Sequence, residues 1–176
     1  MVCDSSNVCK TGIYVKDEMT GVGTLTYIDP KTTIFGALGH EITERTTGER
    51  FEIKDGKIFN ATVTDNIKSE SGSPGEKNAI YDENITYGEI DANEESGIFG
   101  KYTSEILEDE ALEVGTKGDV KTGEASIRTV LNGNDVKDYT INILNINIDT
   151  DIKNILFEIT DQELLNKTGG VIQGMS

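Results

Sequence analysis

The side chains that could perform chemistry are concentrated in two short segments of the chain. The first comprises residues 35–42 (FGALGHEI) and contains His40, the only histidine in the sequence. Gly36 and Gly39 precede it, and their lack of side chains leaves room for a substrate beside the imidazole. An imidazole can take up and return a proton near neutral pH, as a general base must. A single histidine is also commonly structural, so this segment alone leaves both interpretations open.

The second segment comprises the last nine residues, 168–176 (TGGVIQGMS), in which Gly174 precedes Ser176 by two positions. A serine becomes a nucleophile when a base removes its proton, and His40 is the histidine available for that task. The backbone N–H groups of Gly174 and Ser176 can converge on one point and hold a tetrahedral oxyanion. A Gly-x-Ser pattern alone is common by chance, so the prediction of acyl transfer depends on the combination with His40.

The composition excludes several other classes of function. The 176 residues include 16 basic and 32 acidic side chains, giving a net charge of −16. This charge disfavours nucleic acid and anionic membrane surfaces as partners, because both are bound through Lys and Arg. No stretch approaches the roughly 18 consecutive apolar residues that a membrane-spanning helix requires. A single histidine excludes a histidine-rich metal site, and no metal or organic cofactor is implied.

The elements that must position these residues are predicted to be β-strands. Runs rich in Ile, Val, Thr, Tyr and Phe recur between Gly, Asn and Asp residues, as in proteins built from short strands. The predicted strands cover residues 12–16, 21–28, 32–38, 50–53, 57–64, 86–90, 124–131, 138–148 and 154–159. A hairpin turn is predicted at Asn132-Gly133, a surface loop at residues 69–77 and a helical turn at residues 161–166. This spacing predicts a sandwich or barrel rather than an α/β fold.

Three further features favour structural interpretations. Cys3 and Cys9 could close a small loop in an oxidising compartment or be free thiols, and the sequence leaves both open. The acidic run at residues 105–114 is interpreted as a solvated surface. Residues 71–74 (SGSP) form a second glycine–serine pair, but they lie in the predicted polar loop and lack the preceding Gly-x, so they are interpreted as loop.

Six segments, in the same order, resemble the SpoIVB family of sporulation serine peptidases. They are GIYVKDEMTGVGTLTY, FGALGHEI, SPGEKNA, GEIDANEESGIFG, EITDQELL and TGGVIQGMS, and they extend from Gly12 to Ser176. The resemblance implies a mostly β, trypsin-like double β-barrel with the site between the barrels. It identifies residues 12–176 as the peptidase domain and residues 1–11 as a terminal linker. From the resemblance we expect the sequence to begin after the PDZ domain that precedes the peptidase domain in the family.

The same resemblance implies roles for individual residues. His40 matches the family's histidine in GALGH and would be the general base, and Ser176 matches the serine in GMS and would be the nucleophile. The amides of Gly174 and Ser176 would hold the oxyanion. Asp161 matches the aspartate of the ITD segment and would orient His40. Asp is also favoured as an N-cap, so Asp161 could equally begin a helix at Gln162, and the two roles are compatible.

The resemblance also implies a biological setting and one departure from it. Family members are exported from the forespore into the space between its two surrounding membranes. There they cleave a membrane-bound protein regulator of an intramembrane protease, and they process themselves. In the family, further strands follow the serine, so we expect a second barrel truncated at Ser176 and a chain that is inactive by itself. The alternatives are a non-catalytic acidic β-domain that binds or regulates a partner, and a hydrolase of small esters.

Overall fold

The structure is a computed structural model that describes residues 2–3, 9–10, 19–39, 41–44, 47–106, 111–147, 149 and 154–175. Most of these residues lie in strands, as predicted. The strands are β1 (Val2–Cys3), β2 (Cys9–Lys10), β3 (Tyr27–Ile28), β4 (Ile34–Leu38), β5 (Gly56–Ile67), β6 (Glu76–Glu94), β7 (Gly97–Tyr102), β8 (Gly123–Val130), β9 (Val136–Ile146) and β10 (Ile155–Ile159). A short 3₁₀ helix covers Lys117–Asp119, and an α-helix, α1, covers Gln162–Thr168.

The strands form two main antiparallel sheets and one small pair. The larger sheet has the order β3-β4-β7-β6-β5, the smaller has the order β10-β9-β8, and β1 pairs with β2. The β6 strand has 19 residues and pairs with β5 along its first part and with β7 near its end. Both pairings contain bulges, which increase the bend and twist of a strand, so the larger sheet curls into a half-barrel. This mostly β architecture is consistent with a trypsin-like fold, which confirms the predicted fold class.

The turn between β8 and β9 joins the two sheets. Val63 of β5 and Gly133 of this turn exchange backbone hydrogen bonds of 2.9 and 2.8 Å, and Asn66 Nδ2 donates to the Leu131 carbonyl at 2.7 Å. The turn coincides with the predicted Asn132-Gly133 hairpin, and Gly133 adopts a φ of 59°. The hairpin prediction is therefore confirmed, and the same turn carries the contact between sheets.

The α-helix is defined at both ends by its own sequence. At its start, Asp161 Oδ1 accepts a hydrogen bond of 2.9 Å from the Leu164 N–H, which satisfies one of the free donors of the first turn. At its end, Gly169 has a φ of 74° and donates its N–H to the Leu165 carbonyl, the C-cap geometry that favours glycine. The helical turn predicted at residues 161–166 is confirmed and extends to Thr168.

The helix contributes the buried Leu164 to the core of the smaller sheet. Leu164 is packed with Leu131 and Tyr139, and the side chains of Ile159 and Met175 pack against this cluster.

From Thr168 onwards the chain runs beside the segment that precedes β6. There Gly75 donates to the Val171 carbonyl and Gln173 donates to the Gly75 carbonyl, each at 2.9 Å. The C-terminal segment is thus fixed to both sheets.

Several predicted element boundaries were wrong. Only Tyr27–Ile28 of the predicted strand 21–28 is a strand. Residues 50–53 form no strand: Arg50 makes an isolated antiparallel bridge with Thr43, and the Phe51 carbonyl is bound by the Asn93 side chain. The predicted strand 12–16 lies outside the described residues. The predicted loop 69–77 ends early, since β6 begins at Glu76 and continues through residues 86–90. We did not predict β7, whose two glycines resemble turn residues.

Candidate active site

Two of the four predicted site residues, His40 and Ser176, lie outside the described residues. The other two, Asp161 and Gly174, are described, and so are the residues that directly flank His40 and Ser176. The site can therefore be built from the contacts that fix the chain beside each predicted catalytic side chain.

The chain is anchored immediately before and after His40 by the β6–β7 hairpin. Gly39, which directly follows β4, donates its N–H to the Ser96 carbonyl at 3.1 Å. On the other side, Ile42 N–H donates to Asn93 Oδ1 at 2.8 Å, and Asn93 Nδ2 donates to the Ile42 carbonyl at 2.8 Å. One amide side chain thus satisfies both backbone groups of Ile42. These three bonds fix the described residues Gly39 and Ile42, on either side of position 40.

The turn before Ser176 is held through the carbonyl of Gly174. This oxygen accepts hydrogen bonds of 2.8 Å from both Lys77 Nζ and Thr129 Oγ1, and Lys77 Nζ also donates to Thr129 Oγ1 at 2.6 Å. Lys77 comes from β6 and Thr129 from β8, so the two sheets meet at this carbonyl. Gly174 has a φ of 77°, a conformation that glycine adopts without strain. We refer to Lys77, Thr129 and the Gly174 carbonyl as the Gly174 clamp.

The environment of Lys77 is unusual for a lysine. Its side chain is half-buried, and burial lowers the pKa of the ammonium from 10.5 to about 8, because desolvation disfavours the charged form. Among the residues that the structure describes, no carboxylate lies within ion-pair distance of Nζ. The Thr129 hydroxyl and the Gly174 carbonyl therefore take the place of the water and counter-ion that a surface lysine would have.

Gly174 also lies against Thr24, in the segment that precedes β3. The β3 strand pairs with β4, after which His40 follows in the sequence. A Cβ at Gly174 would collide with Thr24 Oγ1. Two residues further on, Thr26 N–H donates to the Gly36 carbonyl at 2.9 Å, and Leu38 N–H donates to Thr26 Oγ1 at 3.0 Å. The β3–β4 pairing itself is limited to Tyr27 with Gly36 and Ile28 with Phe35. Gly174 therefore contacts the segment that leads into β3, the strand that pairs with β4.

Asp161 lies at the start of α1, and its N-capping role is observed directly through the bond to the Leu164 N–H. Met175, which precedes Ser176, packs on the hydrophobic cluster that contains Leu164. The helix that Asp161 caps is therefore packed against the end of the described chain. The capping bond uses one carboxylate oxygen, Oδ1, and the role of Asp161 towards His40 stays a prediction.

Sequence reasoning selected Gly174 but missed Lys77, Thr129 and Asn93. Lys77 lies in the segment SPGEKNA and Asn93 in GEIDANEESGIFG, two of the segments that resemble the sporulation peptidases, so that resemblance was an available signal. Thr129 carried no such signal, because a threonine in an alternating strand is ordinary. Within the described ranges, no group of three or more His, Cys, Asp or Glu side chains is arranged to hold a metal ion. Nor does that part of the chain contain a helix long and apolar enough to cross a membrane.

Comparison with known proteins defines the class to which this β-fold and its C-terminal turn belong. A family model described as SpoIVB peptidase S55 matches residues 7–176. No match was found among the curated proteins or among the solved structures. Because the match covers nearly the whole sequence, the chain belongs to the SpoIVB peptidase family. It is therefore a peptidase-family protein.

Proposed function

We propose that this protein is a serine endopeptidase in which His40 is the general base and Ser176 the nucleophile. The observation that carries the proposal is the position of Gly174, two residues before Ser176. It has a left-handed φ, its carbonyl is clamped by Lys77 and Thr129, and it lies against Thr24. These contacts hold the turn that precedes Ser176, and the family resemblance supports a site in which His40 acts on that serine.

The proposed reaction is peptide-bond hydrolysis through an acyl-enzyme. Ser176 Oγ attacks the scissile carbonyl carbon while His40 takes its proton, and the resulting oxyanion is held by the amides of Gly174 and Ser176. The intermediate then collapses, and His40 gives the proton to the leaving amine. Water, activated by His40, attacks the acyl-enzyme and releases the carboxylic acid product and free Ser176. No metal or organic cofactor takes part in this scheme.

We assign Asp161 two compatible roles. Its Oδ1 accepts the capping bond of α1, while an aspartate has a second oxygen that can accept a hydrogen bond from the far ring nitrogen of His40. Such a bond fixes the tautomer in which the other nitrogen faces the serine, and it stabilises the imidazolium that forms during attack. This assignment is supported by the match of the ITD segment to the family and by the packing of α1 near Met175.

The substrate we propose is a protein. Family resemblance favours a membrane-bound regulator of an intramembrane protease and the enzyme itself, in the space between the two membranes around the forespore. A polypeptide that ends at Ser176 would place a carboxylate beside the developing oxyanion. Because this charge opposes the stabilisation that the site provides, we propose that such a polypeptide does not turn over substrate.

The test is covalent labelling of the serine by a fluorophosphonate, read by intact mass. It is performed on the gene product with whatever residues follow position 176, beside Ser176→Ala and the 176-residue polypeptide. Ser73→Ala is the matched control, because Ser73 also follows a glycine in a turn. We expect one adduct in the unaltered protein and in Ser73→Ala, and none in Ser176→Ala or the 176-residue polypeptide.

An unaltered protein that takes no adduct and cleaves no peptide would contradict the proposal and favour a non-catalytic acidic module. An adduct that survives Ser176→Ala would show that another serine is the nucleophile. Cleavage of esters without cleavage of peptides would identify a small-ester hydrolase instead. Labelling of the 176-residue polypeptide would refute only its proposed inactivity.

A further inference from the structure

The Gly174 clamp acts on the peptide group that lies between the two proposed oxyanion donors. The Gly174 N–H belongs to the peptide group joining residues 173 and 174, and the Ser176 N–H belongs to the one joining residues 175 and 176. Between them lies the peptide group whose carbonyl is that of Gly174. Because peptide groups are planar, fixing this carbonyl fixes the plane about which the two donors are arranged. Two hydrogen bonds of 2.8 Å hold it.

The neighbouring contacts restrain the turn on either side of this plane, and the clamp supplies the hydrogen bonds to the plane itself. Upstream, Gln173 N–H is bound to the Gly75 carbonyl at 2.9 Å. Downstream, the Met175 side chain is packed on the cluster of Leu131, Tyr139 and Leu164. Glycine has the widest backbone freedom of any residue, so Gly174 is where the turn could rotate between these two anchors. Lys77 and Thr129 remove that freedom.

The presence of a lysine here requires an explanation, because Thr129 already donates a hydrogen bond to the Gly174 carbonyl. Partial burial of an ammonium is unfavourable unless its donors are satisfied, and here they meet a hydroxyl and a carbonyl rather than a carboxylate. What the ammonium adds is charge-assisted hydrogen bonding, which is roughly twice as strong as bonding between neutral groups. A strong restraint on one peptide plane is needed where two amides must converge on one atom.

We infer that Lys77, acting with Thr129, is a positioning residue of the proposed serine site: it holds the Gly174 carbonyl and so sets the angle between the two oxyanion amides. This inference rests on the proposed function of Ser176. Lys77 acts through Gly174 rather than on the substrate. It is not the general base, because both hydrogen bonds described for Nζ are donated ones and the ammonium is mostly protonated at pH 7.

The test is the substitution Lys77→Met, which keeps the length and packing of the side chain but removes its charge and its donors. The probe is p-nitrophenyl acetate, whose acylation of Ser176 forms an oxyanion, together with the rate of fluorophosphonate labelling. We expect kcat and the labelling rate to fall by about tenfold to hundredfold, less than the loss of an oxyanion donor itself. The KM should change by less than about threefold, since the clamp does not touch substrate.

Three further variants separate positioning from a general effect on the fold. Lys57→Met makes the same chemical change at an exposed position of β5 and should leave both rates unchanged. Lys77→Arg keeps the charge and donors and should recover a large part of the lost rate. Thr129→Val removes the second donor to the Gly174 carbonyl and should reduce kcat in the same way. Circular dichroism and thermal unfolding of each variant verify that it is folded.

The outcomes are distinguishable. A folded Lys77→Met protein with unaltered kcat and labelling rate would overturn the inference while leaving the proposed function intact. An unaltered protein that never labels refutes the proposed function, and the inference falls with it. If Lys77→Met does not fold, Thr129→Val decides, and an unaltered kcat in that variant overturns the inference. A rise in KM without a fall in kcat would show that Lys77 contributes to substrate binding instead.

Discussion

Two turns of this chain look alike in sequence and local backbone but differ in what surrounds them. In the first, Gly72 has a φ of 85° and is followed by Ser73; in the second, Gly174 has a φ of 77° and precedes Ser176 by two residues. The first turn is closed by reciprocal backbone bonds between Glu70 and Ser73, at 3.0 and 2.9 Å. No described atom lies within 4 Å of where a Cβ on Gly72 would be. This turn is exposed to solvent.

The second turn is held by parts of the chain that are remote in sequence. Lys77 and Thr129 bind its carbonyl across 97 and 45 positions, and Thr24 lies where a Cβ on Gly174 would be. A glycine–serine pair is therefore sufficient for a turn, because the turn needs only its own backbone. A candidate site additionally requires contacts that fix the orientation of the turn from outside. Substitutions in and around the two turns can measure whether that difference separates a catalytic serine from an ordinary one.

The largest loss of activity is expected from a substitution at Asp161, a residue with no counterpart at the exposed turn of Gly72 and Ser73. In Asp161→Asn, the amide oxygen can still cap α1, since Asn and Asp are comparable N-caps. The change removes the charge that stabilises an imidazolium and lets the wrong tautomer of His40 form, so we expect kcat to fall by about 10²–10⁴-fold. Fluorophosphonate labelling and hydrolysis of p-nitrophenyl acetate measure the loss.

The control for this prediction is the stability of the helix. Thermal unfolding of Asp161→Asn should be close to that of the unaltered protein, whereas Asp161→Ala should be less stable by about 1 kcal/mol because the cap is lost. If Asp161→Asn keeps full activity, the aspartate is only a cap. The comparison would then be weakened, because Ser176 would not depend on this distant carboxylate.

A smaller but more direct effect should follow from adding one methyl group to each turn. In Gly174→Ala the new Cβ would collide with Thr24 and force a left-handed φ on alanine, so the turn must shift. We expect the labelling rate of Ser176 to fall by about hundredfold, as for loss of one oxyanion donor. Gly72→Ala meets no neighbour and bears only the backbone strain, about 1–2 kcal/mol, so its labelling rate should be unchanged.

Measurement of both labelling rates under identical conditions, with unfolding curves for each variant, completes this test. Equal loss in the two variants would indicate that activity follows general stability. It would contradict the view that the surroundings of Gly174 matter in particular.

How far the sequence could predict this arrangement depends on the range of the interactions involved. Gly174 and the cap at Asp161 could be predicted, because each follows from a few adjacent residues. The sequence predicts a loop at Lys77, because Ser, Gly and Pro precede it and nothing local shows that β6 begins at Glu76. Its contact with Gly174 depends on the curl of the larger sheet, whose bulges composition does not reveal, and on the position of Thr129 in β8. The β7 strand was missed because its glycines permit a close approach to β4 and β6 while resembling turn residues.

The smallest predicted effect is a dependence of stability and labelling rate on pH. It concerns only the turn at Gly174, because that is the turn whose carbonyl Lys77 binds. The pKa of Lys77 is lowered to about 8 by burial. The charged residues adjacent to Lys77, to its partner Asn66 and to Thr129 along their strands are Glu76 on β6, Asp65 on β5 and Arg128 on β8, and all three are exposed. Side chains alternate along a strand, so Glu76 and Arg128 point away from the face that carries Lys77 and Thr129. The described C-terminal segment from Gly169 to Met175 carries no ionisable side chain.

Between pH 8 and 10.5 the unfolded chain therefore binds more protons at this lysine than the folded chain does. The free energy of unfolding of the unaltered protein, relative to Lys77→Met, should rise with pH across this window. The labelling rate of Ser176 should fall across the same window, because a neutral amine donates weaker hydrogen bonds to the Gly174 carbonyl. Denaturant unfolding and labelling at each pH measure both, with Lys57→Met as the control that keeps Lys77. The free energy of unfolding is thus expected to rise with pH while the labelling rate falls, and both trends should disappear in Lys77→Met. This combination is expected only if the partly buried ammonium of Lys77 both destabilises the fold and positions the turn. A labelling rate in Lys77→Met with the same alkaline decline would instead assign that decline to another group.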